Sequence, residues 1–292
     1  MPTHSSLAEL SSSLASLVTG AGPSIVSVRS HRSLSTGFVW RPGLVVTADE
    51  ALAEEGEVAV TLHGGETIPA KIAGRDPSTD VALLRIDRID LPQAALNDGT
   101  PEGGALVVAV GADDGAPTAA LGVVGRSAGA WRSIRGGKID ARIDLDLCLR
   151  RSAEGGLAVD AAGRAFGMAV FGPRRTTLVI PTATIDRVAS TLERHGRIPR
   201  GYLGLGLQPV TLSGSQETGA MVASIDPKGP GAAAGLFQGD IITAWNGAAL
   251  GGLRALMRSL GPDSVGQEAT ATVRRGGETR EVRLILGERP VN

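Results

Sequence analysis

The sequence contains almost no cysteine and few aromatic residues. Cys148 is the single cysteine among 292 residues, which excludes an intramolecular disulfide. Apolar runs such as residues 105–110 are far too short to span a bilayer, so no membrane span is predicted. The formal net charge is −1, and this balance gives no reason to expect nucleic acid as a partner.

Glycine is abundant, at 41 residues, and apolar residues make up 42% of the chain. Between residues 25 and 180, two sets of about six short segments rich in Val, Ile and Thr are separated by Gly, Pro or charged residues. This pattern predicts two packed antiparallel β-barrels, closed by a helix over residues 184–195. We predict a mostly β chain with an N-terminal helical segment over residues 1–22, a double barrel over 23–197 and an α+β domain over 201–290.

Leu7, Leu10, Leu14 and Leu17 recur at helical spacing, which predicts a short amphipathic helix ending near Gly20. We expect this helix to pack on its own barrel; the alternative is a contact between subunits of a homo-oligomer. Residues 1–19 lack a cationic start followed by an apolar core, so they do not resemble a secretory signal. The expected location is therefore the cytoplasm, with export as the alternative if the N-terminus has been trimmed.

The run RRSAEGGLAVD at residues 150–160 places two adjacent glycines before a short apolar strand. It resembles the nucleophile loop of trypsin-like serine proteases, in the version found in the HtrA/Deg family. Glu154 stands at the position of the nucleophilic serine, while Ser152 and Leu157 replace a glycine and a proline of that loop. The loop keeps the glycine pair of the family and lacks its reactive hydroxyl group.

Two further runs resemble the segments that carry the rest of the catalytic triad. The run GRDPSTDVALLRI at residues 74–86 resembles the HtrA segment with the catalytic aspartate, and Asp80 occupies that position. The run VVTADEAL at residues 45–52 places Glu50 at the position of the histidine. The triad-equivalent positions are thus Glu50, Asp80 and Glu154, and the four histidines lie elsewhere in the sequence.

Serine-protease catalysis needs an imidazole that takes the serine proton, a carboxylate that orients the imidazole, and an oxyanion hole. A glutamate at the histidine position titrates too low to act as that base. Ser152 and Cys148 lie near the loop, but the sequence shows no histidine base beside either. We therefore predict no catalytic residues and no enzymatic activity, which makes the chain a pseudoprotease. The alternatives are a weak or unconventional hydrolase and a non-catalytic subunit that regulates an active HtrA relative.

If the backbone of the resembled fold is kept, the side chains of Glu50, Asp80 and Glu154 converge. Like charges that close together cannot all stay ionised without compensation. We expect the loops to relax so that each Glu points to solvent. The alternatives are an ion pair with Arg150 or Arg151, a proton held on one carboxyl group, or a divalent cation such as Ca²⁺ or Mg²⁺. No cofactor is predicted, and the cation is the one alternative to that prediction.

The run GYLGLGL at residues 201–207 resembles the carboxylate-binding loop of HtrA-type PDZ domains. The runs GPGAAAGL at 229–236, GDII at 239–242 and WNG at 245–247 follow in the order of that family. The resemblance implies that a peptide adds as a strand to an exposed sheet edge while backbone N–H groups hold its terminal carboxylate. The predicted peptide-binding residues are Tyr202, Leu203, Gly204, Leu205, Leu207, Leu256 and Leu260.

The resemblance covers about residues 24–289 and implies a chymotrypsin-like double barrel followed by a PDZ domain. The first functional hypothesis is a catalytically inactive HtrA-like scaffold or adaptor that binds peptides or protein C-termini through the PDZ groove. Other HtrA-like subunits and further copies of the chain are the remaining partners that the resemblance implies.

Overall fold

The computed structural model describes residues 6–31, 33–54, 56–212 and 218–290. The chain divides into two compact units, with the division between Ile198 and Pro199. Within the described residues, no helix has both the length and the apolar character needed to cross a membrane.

The first unit opens with helix α1 (Ser6–Ala21), whose two halves differ in their surroundings. Leu14, Leu17 and Val18 pack against the main core of the unit. Leu7 and Leu10 are exposed. The second half of the helix therefore lies on the barrels, as the leucine spacing predicts, while the first half presents two apolar side chains to solvent.

Six antiparallel strands close the first barrel in the order β1-β2-β3-β6-β5-β4. Val and Ile residues dominate these strands, and their alternate side chains fill the barrel interior. The strands are β1 (Ile25–Ser30), β2 (Ser33–Arg41), β3 (Leu44–Thr47), β4 (Val58–Thr61), β5 (Thr67–Asp76) and β6 (Val81–Ile86).

A second six-stranded barrel follows, closed in the order β11-β14-β13-β12-β7-β8. Its strands are β7 (Leu106–Asp113), β8 (Ala116–Ala128), β11 (Arg142–Asp146), β12 (Gly156–Asp160), β13 (Ala165–Phe171) and β14 (Thr177–Pro181), with a hairpin of β9 (Trp131–Arg132) and β10 (Lys138–Ile139) between β8 and β11. One buried apolar cluster contains residues from both barrels and from helix α2 (Thr182–His195). The two barrels that the sequence predicts are thus confirmed, and a shared core fixes them to each other.

The C-terminal unit is a sheet in the order β16-β17-β18-β20-β21 with two short helices. Its elements are β15 (Gly201–Tyr202), β16 (Leu205–Thr211), β17 (Thr218–Ile225), α3 (Pro230–Ala233), β18 (Ile241–Trp245), β19 (Ala248–Ala249), α4 (Leu253–Ser259), β20 (Glu268–Arg275), β21 (Glu278–Ile285) and β22 (Gly287–Glu288). Strand β16 stands at one end of this order, so among the described strands its outer edge has no partner. Such an edge is a template for adding another strand.

Candidate functional site

Glu50 lies on the loop that follows β3, and a half-buried arginine fixes this loop. The guanidinium group of Arg75, on β5, pairs with the carboxylate of the buried Asp49. The same group donates hydrogen bonds to the carbonyl oxygens of Asp49 and Ala53, both at 2.9 Å. Because both ends of the loop are held, the position of Glu50 is set by the barrel.

Asp80 ends a tight turn that begins at Asp76. The buried carboxylate of Asp76 accepts hydrogen bonds from the Ser78 N–H at 3.0 Å and the Thr79 hydroxyl at 2.6 Å. Asp80 itself adopts a left-handed conformation with φ 58°, which turns its side chain toward the loop of Glu50. The Asp80 Oδ1 atom accepts the Glu50 N–H at 2.8 Å. Two of the three triad-equivalent residues are therefore in direct contact.

Glu154 follows a single turn of 3₁₀-helix (Arg151–Ala153) and lies against the first barrel. Its carbonyl oxygen accepts the Thr36 N–H at 2.8 Å, and the Thr36 hydroxyl donates to the Ser152 carbonyl oxygen at 2.6 Å. Glu154 is only 8% exposed. The expectation that each Glu points to solvent is therefore met by the exposed Glu50 and is wrong for Glu154, since the loop is tied to Thr36.

The three carboxyl groups influence one another's protonation. Withdrawal from water raises the pKa of Asp80 to about 8; the negative charges of Glu50, Glu154 and Asp49 add to this, and the Glu50 N–H opposes it. Burial likewise raises the pKa of Glu154 above its ordinary value, against the effect of the Phe171 backbone N–H. A pKa of about 8 favours the protonated form of Asp80 at neutral pH, which corresponds to one of the alternatives to solvent-exposed carboxylates.

A cation beside this cluster comes from the hairpin of β9 and β10. The guanidinium group of Arg135 lies 3.4 Å from a carboxylate oxygen of Glu50 and donates to the Pro77 carbonyl oxygen at 3.2 Å. Arg150 and Arg151, the partners suggested by sequence proximity, form no ion pair with these carboxylates in the described part of the chain. The described residues also include no group of three or more His, Cys, Asp or Glu side chains arranged to hold a metal ion.

A cleft of about 580 Å³ opens beside Glu50 and Glu154. Its remaining lining residues are Ser30, His31, Ser33, Leu34, Ala51, Leu52, Ala53, Arg151 and Ser152. His31 stands at the hairpin between β1 and β2, so the cleft contains an imidazole and several hydroxyl groups. No motif marks His31 in the sequence, because the hairpin reaches the cleft only when the barrel closes.

The backbone N–H groups of the loop before Glu154 are already used within the loop. The Ala153 N–H donates to the Arg150 carbonyl oxygen at 3.0 Å, and the Glu154 N–H donates to that of Arg151 at 3.3 Å. In serine proteases, N–H groups of this loop stabilise the oxyanion of the transition state. In this conformation, the Ala153 and Glu154 N–H groups face carbonyl oxygens of their own turn.

A second candidate site lies at the outer edge of β16 in the C-terminal unit. Gly204 has φ 71°, and a Cβ atom there would come within 2.8 Å of the Gly229 Cα atom. The chain therefore needs glycine where the loop passes closest to residues 226–229. Leu205 and Leu207 are half-buried along β16, and the Tyr202 hydroxyl donates to Asp226 at 3.1 Å.

Three of the predicted peptide-binding residues lie in the core of the C-terminal unit. Leu203, Leu256 and Leu260 are buried there, so their side chains can form the floor of a pocket but not its open walls. Helix α4 instead presents Met257, which is 46% exposed. Helical periodicity identified the apolar face of α4 but could not distinguish the core from a groove.

Two family models match the chain: a trypsin-like peptidase domain over residues 35–168 and a PDZ domain over residues 201–286. A probable periplasmic serine endoprotease, DegP-like, from Brucella suis biovar 1 (strain 1330) is 33% identical in an alignment of 272 positions that covers 87% of this chain and 52% of that protein. A protein of the same name from Halomonas elongata is 30% identical, over 89% of this chain and 57% of that protein. The chain spans about half the length of these curated relatives.

Solved structures show the same architecture. The serine endoprotease from Yersinia pestis matches with a TM-score of 0.70 and 26% identity, over 94% of this chain and 98% of that one. The HtrA-type protease AlgW with tripeptide matches with a TM-score of 0.66 and 26% identity, over 95% of this chain and 98% of that one. These matches confirm the predicted fold class, a trypsin-like double barrel followed by a PDZ domain.

Two predictions from the sequence are contradicted by the comparisons. The prediction of no enzymatic activity, and with it the pseudoprotease interpretation, is contradicted because relatives at 30–33% identity over most of the chain are named serine endoproteases. The cytoplasmic location is contradicted because the same relatives are named periplasmic. The first prediction rested on the residues at positions 50 and 154, and the second on the composition of residues 1–19. The similarity to the relatives extends over most of the chain.

Proposed function

The chain belongs to the HtrA family, and we propose that it captures peptides and protein C-termini in the groove of its PDZ unit. The observation that carries the proposal is the free outer edge of β16, which directly follows the Gly204 loop. An extended peptide can pair with this edge, and the N–H groups of the loop can hold its terminal carboxylate. Leu205, Leu207 and Met257 supply apolar contacts for its last side chains. The names of the relatives support a periplasmic location for this activity.

A charge placed in the groove is expected to weaken this binding. We expect Leu207→Glu to reduce the affinity for a peptide with an apolar C-terminal residue about tenfold, because the carboxylate removes an apolar contact and repels the terminal carboxylate of the peptide. Fluorescence anisotropy with a free-acid peptide and its C-terminal amide measures the effect. Ile285→Glu, at an exposed position on β21, is the matched control and should leave the affinity unchanged within about twofold. Equal binding of the amide and the free acid by the unsubstituted chain would contradict the proposal.

A second candidate function is peptide hydrolysis by the carboxyl groups, which the proton on Asp80 favours. A protonated carboxyl group beside an ionised one is the arrangement with which aspartic proteases activate water. The Asp80 carboxyl group accepts the Glu50 N–H, and the Glu50 side chain lies beside Arg135 and lines the cleft. We infer that the two carboxyl groups, held on adjoining loops, act together on a peptide bound in the cleft.

This candidate predicts a characteristic pH dependence of casein hydrolysis. We expect hydrolysis to decline as the pH rises through about 8, where Asp80 loses its proton. Asp80→Asn should abolish the activity, while Asp98→Asn, at an exposed position of the same unit, should not. A fluorophosphonate that modifies reactive serines should have no effect. If the reagent blocks hydrolysis, or if hydrolysis survives Asp80→Asn, then groups other than these carboxyl groups carry the activity.

A further inference from the structure

Four exposed arginines stand on two loops of the second barrel. Arg150 and Arg151 precede Glu154, while Arg174 and Arg175 lie in the turn between β13 and β14. Among the described residues, none of the four forms an ion pair with a carboxylate. We call these four residues the arginine rim.

The two loops of the arginine rim are joined at their bases. The Thr177 hydroxyl donates to the Leu147 carbonyl oxygen at 3.4 Å. Leu149 and Ala153 from one loop share an apolar cluster with Phe171 from the other. Arg151 also lines the cleft beside Glu154. The two loops of the rim are therefore neighbours in the second barrel, and Arg151 places one end of the rim at the cleft.

The turn that carries Arg174 and Arg175 has an unusual backbone. Their φ angles are 58° and 60°, so two consecutive non-glycine residues adopt the left-handed conformation. Glycine or asparagine fits this conformation with less strain. Strained residues of this kind are concentrated at binding and active sites, where the surrounding structure maintains them. The guanidinium group of Arg175 also lies over the Phe171 ring, 5.6 Å from its centroid, which holds the turn against the barrel.

The acidic residues near the rim form no ion pair with it in the described part of the chain. Asp144 pairs with Arg142 at 2.6 Å, and the buried Glu154 interacts with Arg151 only at longer range, where the charge of Arg151 opposes the rise in the pKa of Glu154. Asp146 is exposed at the end of β11, but among the described residues it forms no ion pair with the rim. The rim thus carries a local positive charge on a chain whose formal net charge is −1.

We propose that the arginine rim binds acidic peptide segments, whose Asp and Glu side chains pair with the guanidinium groups beside the cleft. Guanidinium groups match carboxylates in geometry as well as charge. Nucleic acid fits less well, because single strands bind through exposed aromatic rings and the ring beside the rim, Phe171, is half-buried beneath Arg175. This proposal does not depend on the PDZ groove or on hydrolysis.

Anisotropy of a fluorescein-labelled peptide of alternating Glu and Ser tests the proposal on the full chain. The peptide is amidated at its C-terminus, so that it offers no terminal carboxylate to the PDZ groove and the two sites are tested separately. We expect it to bind about tenfold tighter than the same peptide with Gln in place of Glu, and the difference to shrink as the salt concentration rises from about 50 to about 200 mM.

Charge reversal locates the binding. R150E/R174E should weaken binding of the acidic peptide about tenfold. The control, K71E/R85E, makes the same charge change at exposed neighbouring residues of the first barrel and should change the affinity for the peptide less than about twofold. Thermal melting of both variants checks that they are folded, and R150Q/R174Q should give an intermediate affinity. Unchanged binding by R150E/R174E, or an equal loss in the control, would overturn the proposal. Equally tight binding of a single-stranded DNA of the same charge would also overturn it, since the rim would then be a general polyanion surface.

Discussion

Replacement of Gly155 by alanine is expected to lower the free energy of unfolding of the double-barrel unit by about 3 kcal/mol or more. Gly155 has φ 86°, a conformation that side chains rarely adopt. A Cβ atom there would lie 2.2 Å from the Thr36 carbonyl oxygen and 2.9 Å from the Thr47 hydroxyl. The Thr47 hydroxyl already donates to that carbonyl at 2.7 Å, so neither group can move away without losing a buried hydrogen bond.

Urea denaturation followed by tryptophan fluorescence measures this loss. Gly129→Ala is the matched control, because Gly129 lies in the same unit, has no atom within 4 Å of the added Cβ and lacks the left-handed φ. That variant should stay within about 0.5 kcal/mol of the unsubstituted chain. Similar stabilities for the two variants would show that the loop of Glu154 does not depend on contact with the first barrel.

The tight turn at Asp80 could be predicted from the sequence because its determinants are local. Asp76 organises the turn through Ser78 and Thr79, within a few residues, and the run that contains them matches a family segment. The strands of both barrels were predictable for a similar reason, since each carries its own alternation of Val and Ile between turn residues. Local patterns of this kind specify an element without reference to the rest of the chain.

The surroundings of the carboxyl groups could not be predicted, because they depend on contacts between the barrels. Arg135 reaches Glu50 from a hairpin of the second barrel, and the sequence offers no signal that links the two residues. Glu154 is buried because Thr36, on the first barrel, holds its loop by hydrogen bonds. Sequence proximity suggested Arg150 and Arg151 as partners for the carboxylates, but both residues are exposed, and Arg151 lines the cleft without forming an ion pair in the described part of the chain.

The Asp80→Asn variant is expected to be more stable than the unsubstituted chain at pH 8. Folding raises the pKa of Asp80 from its ordinary value to about 8, so between about pH 4 and pH 8 the folded state holds a proton that the unfolded state has released. The contribution of this group to stability therefore falls as the pH rises through that window and becomes constant above it. Asparagine carries no charge at any of these pH values, and its side-chain oxygen can still accept the Glu50 N–H.

The variant and the unsubstituted chain should therefore have similar unfolding free energies near pH 4. The difference should grow to on the order of 3 kcal/mol at pH 8, a value that allows for the partial exposure of Asp80. Urea titrations at several pH values measure this difference directly, and titrating groups that do not interact with Asp80 cancel because both chains contain them. Asp98→Asn, at an exposed position, should give a difference that does not change with pH. A flat difference for Asp80→Asn would mean that Asp80 is ionised in the folded chain at neutral pH. In that case Asp80 would lack the proton that carboxyl-based hydrolysis requires.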